Sequence, residues 1–495
     1  MNHESALPFD NSYAKLPERF YARQRPTPVS APNLIRVNHE LSRLLRIDPN
    51  WLASPAGVQV IAGNQVPENA DPIAMVYAGH QFGNWNPRLG DGRAVLLGEV
   101  LGNDGVRYDI QLKGSGQTPY SRGGDGRAPL GPILREYIVS EAMVALGIPT
   151  TRSLAVVTTG DQVIREESLP GGVLTRVAQS HIRIGTFQFF AAQQDIEALR
   201  LLVDHVIQRH YPSAALSDNP SLAMLDNIVA RQAKLIAGWQ LGGFIHGVMN
   251  TDNMLLSGET IDYGPCAFMD TFHPDTRFSS IDHNGRYAYC NQPGIAHWNL
   301  ACLAQTLLPL LHDDQDTAAA SAQESIDAFP DLFRDAHLQG MFNKLGLSGR
   351  TPDDEPLIQD LLTLMTKEKT DFTLTFRRLT ELANAEGKSA PSVRDLFEIP
   401  DAFAPWIGRW QERIAADPKD TIERRACMYS VNPAYIPRNH LVEEAIDAAV
   451  TRQDFAPFHN LVDVLARPYD YNPEHIHYAA PPRPDQIVRQ TFCGT

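Results

Sequence analysis

The sequence predicts an α+β protein of two lobes, β-rich first and helical second, with extensions at both ends. Three observations carry that prediction. Residues 71–178 hold short runs in which apolar and polar residues alternate between glycine turns, the period of half-buried strands. From about residue 184 the period becomes that of amphipathic helices, with long examples at Ile196–His210 and Leu222–Leu241. Directly after the second of these, the stretch LGGFIHGVMNTDNMLLSGETIDYGPCAFMD, Leu241–Asp270, gathers polar oxygen-bearing side chains into loops.

Composition narrows the class. A chain of 495 residues with 43% hydrophobic content can bury a full core. A net charge of −15 argues against general nucleic-acid or anionic-membrane partners and requires any phosphate site to concentrate basic residues locally. Five scattered cysteines without CxxC spacing point to a reducing compartment. The start lacks a basic segment followed by an apolar run, and no stretch reaches 18 apolar residues, so the expectation is a soluble cytoplasmic protein.

Taken in order, residues 1–70 read as an extension draped over the main fold, with one helical pattern at Leu34–Ile47 stopped by Asp48-Pro49. The first lobe, 71–178, opens with the strand RAVLLGEV from Arg93, a turn at Gly102–Gly105 and a strand over Val106–Lys113. Gly114–Gly131 is too glycine-rich for helix or strand, Leu134–Leu146 reads as helix, and strands follow at Ser153–Thr158 and Val173–Val177 around a turn at Pro170-Gly171-Gly172. The second lobe spans 179–330, with a helix over 296–312, and a helical C-terminal region spans 331–495. Ala318–Ala322 and Gly387–Ser392 read as linkers, and Tyr478–Pro484 as an extended tail.

The chemistry is read from spacing. Kinase-like phosphotransferases carry His-Gly-Asp-x-x-x-x-Asn and then Asp-Phe-Gly, and this chain matches at His246, Gly247, Asn253, Asp262 and Gly264. Asn253 and Asp262 offer hard oxygen donors suited to Mg²⁺ on a triphosphate. At the position of the kinase base stands Val248, which cannot accept a proton. Lys113 ends a strand and Glu136 lies on the next helix, the order of the kinase lysine–glutamate pair, with Glu141 the alternative carboxylate. Singly these are ordinary surface charges; in order with Asn253 and Asp262 they read as one nucleotide site. Gly90, Gly92 and Arg93 stand where a phosphate-covering loop belongs, and a second glycine-rich loop carries Arg122, Asp125, Gly126 and Arg127. Spacing alone leaves Arg176 and Arg183 as interlobe salt-bridge residues.

The longer motifs are more specific. FDNSYAKLPERFYAR, YAGHQFGNWNPRLGDGRA, LKGSGQTPYSRGGDGRAPLGPILREYIVSEAM, HGVMNTDNM, IDYGPCAFMD and NQPGIAHWNLACLA resemble the selenoprotein O (YdiU) family of kinase-like protein adenylyltransferases over nearly the whole chain. The resemblance implies a protein-kinase-like fold that binds ATP flipped, so that AMP passes to Ser, Thr or Tyr hydroxyls of proteins, redox-related ones among the candidates. It implies Asp252 as proton acceptor, although a loop carboxylate supporting the metal is the plainer alternative. It further implies Asn253 and Asp262 on Mg²⁺ or Mn²⁺, and ATP contacts from Gly90, Gly92, Arg93, Lys113, Asp125, Gly126, Arg176, Arg183 and Asp262. UMP transfer with Mn²⁺, a phosphotransferase and a non-catalytic ATP-binding scaffold are the competing readings. Cys493 matches the terminal redox position of some members, with Cys290 its candidate partner and an inert thiol the simpler expectation.

Overall fold

The computed structural model describes residues 7–383 and 392–492. The architecture is α+β, with an antiparallel sheet in the first part of the chain and helices through most of the remainder. Across the sheet the strand order is Tyr21–Arg23, Ile73–Met75, Ala94–Leu101, Arg107–Lys113, Ser168–Ala178, Arg152–Ile164 and Asn33–Val37, and Ala128–Pro129 pairs off this path with Ser168–Ala178.

The period-two pattern sorts side chains to two faces. Val157, Val173, Ile110 and Leu112 pack on Leu41, Leu45, Leu52 and Ile61 of the early segment. Val156 and Leu174 point the other way, onto Ile133, Leu134 and Tyr137 of the helix Leu130–Ala145. That helix is in turn covered by the late helices Asn439–Arg452 and Ala456–Leu465 through Val442, Ala445, Phe458 and Leu461.

Four local expectations are corrected. The helix expected over Leu34–Ile47 is a strand, Asn33–Val37, followed by a short helix, His39–Leu44. Asn38 divides them, its side chain accepting from Leu41 N as an N-cap, while Leu34 and Val37 pair across to Val157 and Ala155. Besides packing on one face of the sheet, the early segment supplies both of its edge strands. Pro170-Gly171-Gly172 is no turn but an irregularity within a strand, and the hairpin reverses at residues 165–167. Ala318–Ala322 lies inside the helix Gln315–Asp327, capped by Asp314, because alanine favours helix interiors over linkers. Tyr478 and Ala479 fall in a short helix, Ile476–Ala479, rather than an extended tail. The linker expected at Gly387–Ser392 falls largely outside the described residues, and Cys493 falls wholly outside them.

The long helix Pro220–Gly242 ends at Gly243, whose φ of 71° closes it in the left-handed conformation. The chain then enters the short strand Phe244–Ile245 and the loop at His246. Among the described residues no helix is long and apolar enough to cross a membrane.

The late segment is fastened to the end of this loop region by Arg438. Its side chain is fully buried, donates from Nη1 to Asp270 and, at 2.8 Å, to Asp371, and donates from Nε to Ala479 O at 3.0 Å. Removing one member of a buried charge cluster leaves uncompensated charge behind. Arg438→Ala is expected to destabilise the protein by about 3–5 kcal/mol, seen as a fall in the thermal unfolding midpoint that Arg438→Lys restores only in part.

Candidate active site

One cleft of about 580 Å³ collects side chains from both parts of the chain. Its walls include Gly90, Gly92, Arg93, Lys113, Asp125, Gly126, Arg176, Arg183, Asp252, Asn253 and Asp262. Glu136 lies just behind it. The carboxylate of Glu136 is 1% exposed and takes Lys113 Nζ at 2.5 Å on one oxygen and Arg176 Nε at 2.6 Å on the other. The alternative carboxylate, Glu141, is committed elsewhere: it binds Arg152, Ser153 N and Asn38, away from Lys113.

Lys113 bridges onward to Asp262 Oδ1 at 3.0 Å, and Arg176 approaches the same oxygen at 3.8 Å. Burial alone would raise the Asp262 carboxyl, but Lys113, Arg176 and Arg93 outweigh it and hold the group well below the usual carboxylate range. Asp262 also has φ 67°, a left-handed backbone that costs a non-glycine residue on the order of 1 kcal/mol. The ion pairs hold it there.

Asp252 and Asn253 sit in a single 3₁₀ turn, Thr251–Asn253. Asn253 Nδ2 donates to Val248 O at 3.0 Å, which orients its amide and leaves the Oδ1 acceptor for another partner. Val248 is buried and contributes its backbone, not its side chain. His246 builds the loop: Nδ1 accepts from Val248 N at 3.3 Å, so Nε2 carries the proton donated to Ile261 O at 2.8 Å. Asp252 is 6% exposed, and burial pushes its carboxyl up to about 6 against the opposing pull of Gln81 and Arg183. Gln81 Nε2 donates to Oδ2 at 3.1 Å, while Oδ1 is buried without a hydrogen-bond partner among the described residues.

Two guanidinium nitrogens of the same cleft, Arg176 Nη2 and Arg183 Nε, are likewise buried without a hydrogen bond. Arg183 is otherwise anchored, donating to Asp252 O at 2.7 Å and lying 4.4 Å from the Tyr77 ring. Asp125 is turned toward its own loop: its oxygens receive Arg165 at 2.9 and 3.0 Å and Arg127 N at 2.9 Å, which shapes the cleft rim. Glycine is required in two places. At Gly126, φ is 67° and a Cβ would lie 2.0 Å from Gly116 O; at Gly90, φ is 74° and a Cβ would lie 2.3 Å from the Tyr120 ring.

Sequence reasoning missed Gln81, Asp91 and the small hairpin Gly79–Gln81 with Asn84–Asn86. The hairpin seals the Asp252 turn, with His80 N donating to Thr251 Oγ1 at 2.7 Å and Phe82 N to Asn250 Oδ1 at 3.1 Å. Asp91 receives Met75 N at 3.0 Å and stands 3.6 Å from Arg183. Asp91 was visible between the two glycines of Gly90–Gly92, and Gln81 in the segment YAGHQFGNWNP.

The donor set fits a divalent cation with phosphate. Asn253 Oδ1 and Asp262 would supply two hard oxygens, an incomplete set that phosphate oxygens and water complete for an ion such as Mg²⁺. Among the described residues no three His, Cys, Asp or Glu side chains cluster as a closed metal site.

A buried lysine, two arginines with unbonded N–H groups, glycine loops and paired oxygen donors in one cleft are the equipment of an enzyme that handles phosphate esters. Residues 4–466 match the family described as protein adenylyltransferase SelO, and the chain belongs to that family of nucleotidyltransferases. It is 60% identical over 489 residues to the protein nucleotidyltransferase YdiU of Rhodopseudomonas palustris (strain BisB5), with 99% of each chain covered. It is also 60% identical over 489 residues to the protein of that name from Bradyrhizobium sp. (strain ORS 278), again over 99% of each.

Glu136→Gln would leave Lys113 and Arg176 buried against a neutral amide. The expected outcome is a loss of about 3 kcal/mol in stability with nucleotide binding weakened about tenfold or more, read by thermal unfolding with and without nucleotide.

Proposed function

We propose that the protein transfers AMP from ATP to Ser, Thr or Tyr hydroxyls of other proteins, releasing pyrophosphate, on a two-lobed kinase-like scaffold in the cytoplasm. The observation that carries this reading is the set of unbonded buried atoms in one cleft: Arg176 Nη2, Arg183 Nε and Asp252 Oδ1. The first two suit phosphate oxygens, and the third suits the proton of an incoming hydroxyl. The order of lysine strand, glutamate helix, Asn253 loop and Asp262 supports the kinase-like scaffold. Val248 in place of a base argues against ordinary γ-phosphoryl transfer.

In this reading the acceptor oxygen attacks the α-phosphorus while the bond to the oxygen bridging the α- and β-phosphates breaks. The hydroxyl proton goes to Asp252, whose raised affinity for protons suits a base near neutrality. Lys113 and Arg176, held by Glu136, neutralise phosphate charge, and Arg183 takes charge developing at the α-phosphoryl group. The loops at Gly90–Arg93 and Asp125–Gly126 cover the phosphates. Asn253 and Asp262 would hold Mg²⁺ or Mn²⁺, which when bound neutralises charge on the triphosphate and leaving pyrophosphate.

The test incubates the protein with a protein mixture and ATP labelled at the α- or the γ-phosphate, beside Asp262→Ala. Label on protein from α-ATP only, absent with Asp262→Ala, is the expected result. Label from γ-ATP only would make the chain a kinase, and bound ATP with neither label would make it a scaffold. The relatives' name leaves the nucleotide open, so UTP with Mn²⁺ is the competing donor; α-labelled UTP outcompeting α-labelled ATP would replace AMP by UMP. Asp252→Asn is expected to lower transfer by about 10²–10⁴-fold with ATP affinity changed no more than severalfold, measured by initial rates and equilibrium binding.

A further inference from the structure

A second cavity, of about 290 Å³ and partly open to solvent, lies where the helices Pro220–Gly242 and Phe329–Leu345 meet beneath residues 430–436. The helices approach closely because Gly340 has no side chain; a Cβ there would stand 2.0 Å from Leu241 Cδ1. Much of the wall is apolar, with Ile148, Leu241, Phe372 and Ile436, and one cation, Lys344, stands in it.

Lys344 is 4% exposed. Among the described residues its ammonium forms no ion pair and donates no hydrogen bond; the faces of Phe376, at 4.4 Å, and Phe372, at 5.7 Å, lie beside it, and His337 is within electrostatic range. Lys113 and Arg438, comparably buried, each touch two carboxylates. Ring faces return only part of what an ammonium loses on leaving water, and burial accordingly lowers the Lys344 amine to about 7. An amine buried in the wall of a cavity with no anion beside it has room for an anionic partner that a closed core would not leave.

We propose that this cavity binds a small organic monoanion, a carboxylate on a short apolar body, with the charge on Lys344 and the body against Ile148, Leu241, Phe372 and Ile436. The volume matches that of roughly ten water molecules, so it suits an acid of about that many non-hydrogen atoms or fewer. Thr373 is also on the wall and offers a hydroxyl to the second carboxylate oxygen. Neither the nucleotide cleft nor its residues take part.

The experiment titrates the full chain calorimetrically with sodium hexanoate and sodium benzoate, with sodium chloride and inorganic phosphate as controls. Saturable binding of a carboxylate below ~10 mM, weakened at least tenfold in Lys344→Met, is the expected result. Lys344→Met should itself unfold at an equal or higher temperature, since it removes a buried amine that has no polar partner. A second variant, Ile436→Trp, fills the cavity from another lining position and should abolish binding even if Lys344→Met does not fold. No saturable binding, unchanged binding in either variant, or phosphate binding as tightly as the carboxylates would overturn the proposal.

Discussion

Glu136 is the group on which the cleft depends. Two cations, Lys113 and Arg176, are buried beside it, and each takes one of its two oxygens as its closest carboxylate partner. Through Lys113 the same carboxylate reaches Asp262, which lies on the far side of the cleft and in a strained backbone conformation. The sheet, the helix Leu130–Ala145 and the loop after the long helix are therefore joined by one chain of charge. A ligand phosphate entering the cleft would meet cations whose positions are fixed before it arrives, which lowers the cost of ordering them.

Much of this was legible in the sequence because each part lies at the end of a regular element. Lys113 closes an alternating strand, Glu136 sits within a strongly patterned helix, and Asn253 and Asp262 follow a capped helix at kinase-like spacing. What spacing could not decide was which of two helix carboxylates faces the lysine; the answer lies in Arg152, which occupies Glu141. Gln81 was hidden for a related reason. It reaches Asp252 from 171 residues away in sequence, by way of a three-residue strand too short to declare itself by period.

The errors in reading the fold have physical causes too. Leu34–Ile47 has apolar residues that satisfy a helix as well as a strand, and the choice was made by pairing with a strand more than a hundred residues later. The alanine-rich stretch 318–322 reads as a linker, but alanine is the strongest helix former and the stretch lies inside a helix. Asp125 shows a limit of a different kind: its place in a glycine loop is as expected, but its carboxylate is used by Arg165 and the local backbone. A residue can line a cleft and serve it by shaping the rim.

The sheet and the helix packed on it draw on both ends of the chain. The sheet's edge strands come from residues 21–23 and 33–37, while the outer face of the Glu136 helix is covered by helices that start at residue 439. During synthesis the earliest strands can pair as soon as residues 73–178 emerge, yet the Glu136 helix keeps an apolar face bare until almost the whole chain has left the ribosome. Contacts of such sequence separation make for slow closure. A nascent chain, or one clipped before residue 439, would thus hold Lys113 and Glu136 in a half without its cover, and the cleft would be completed late.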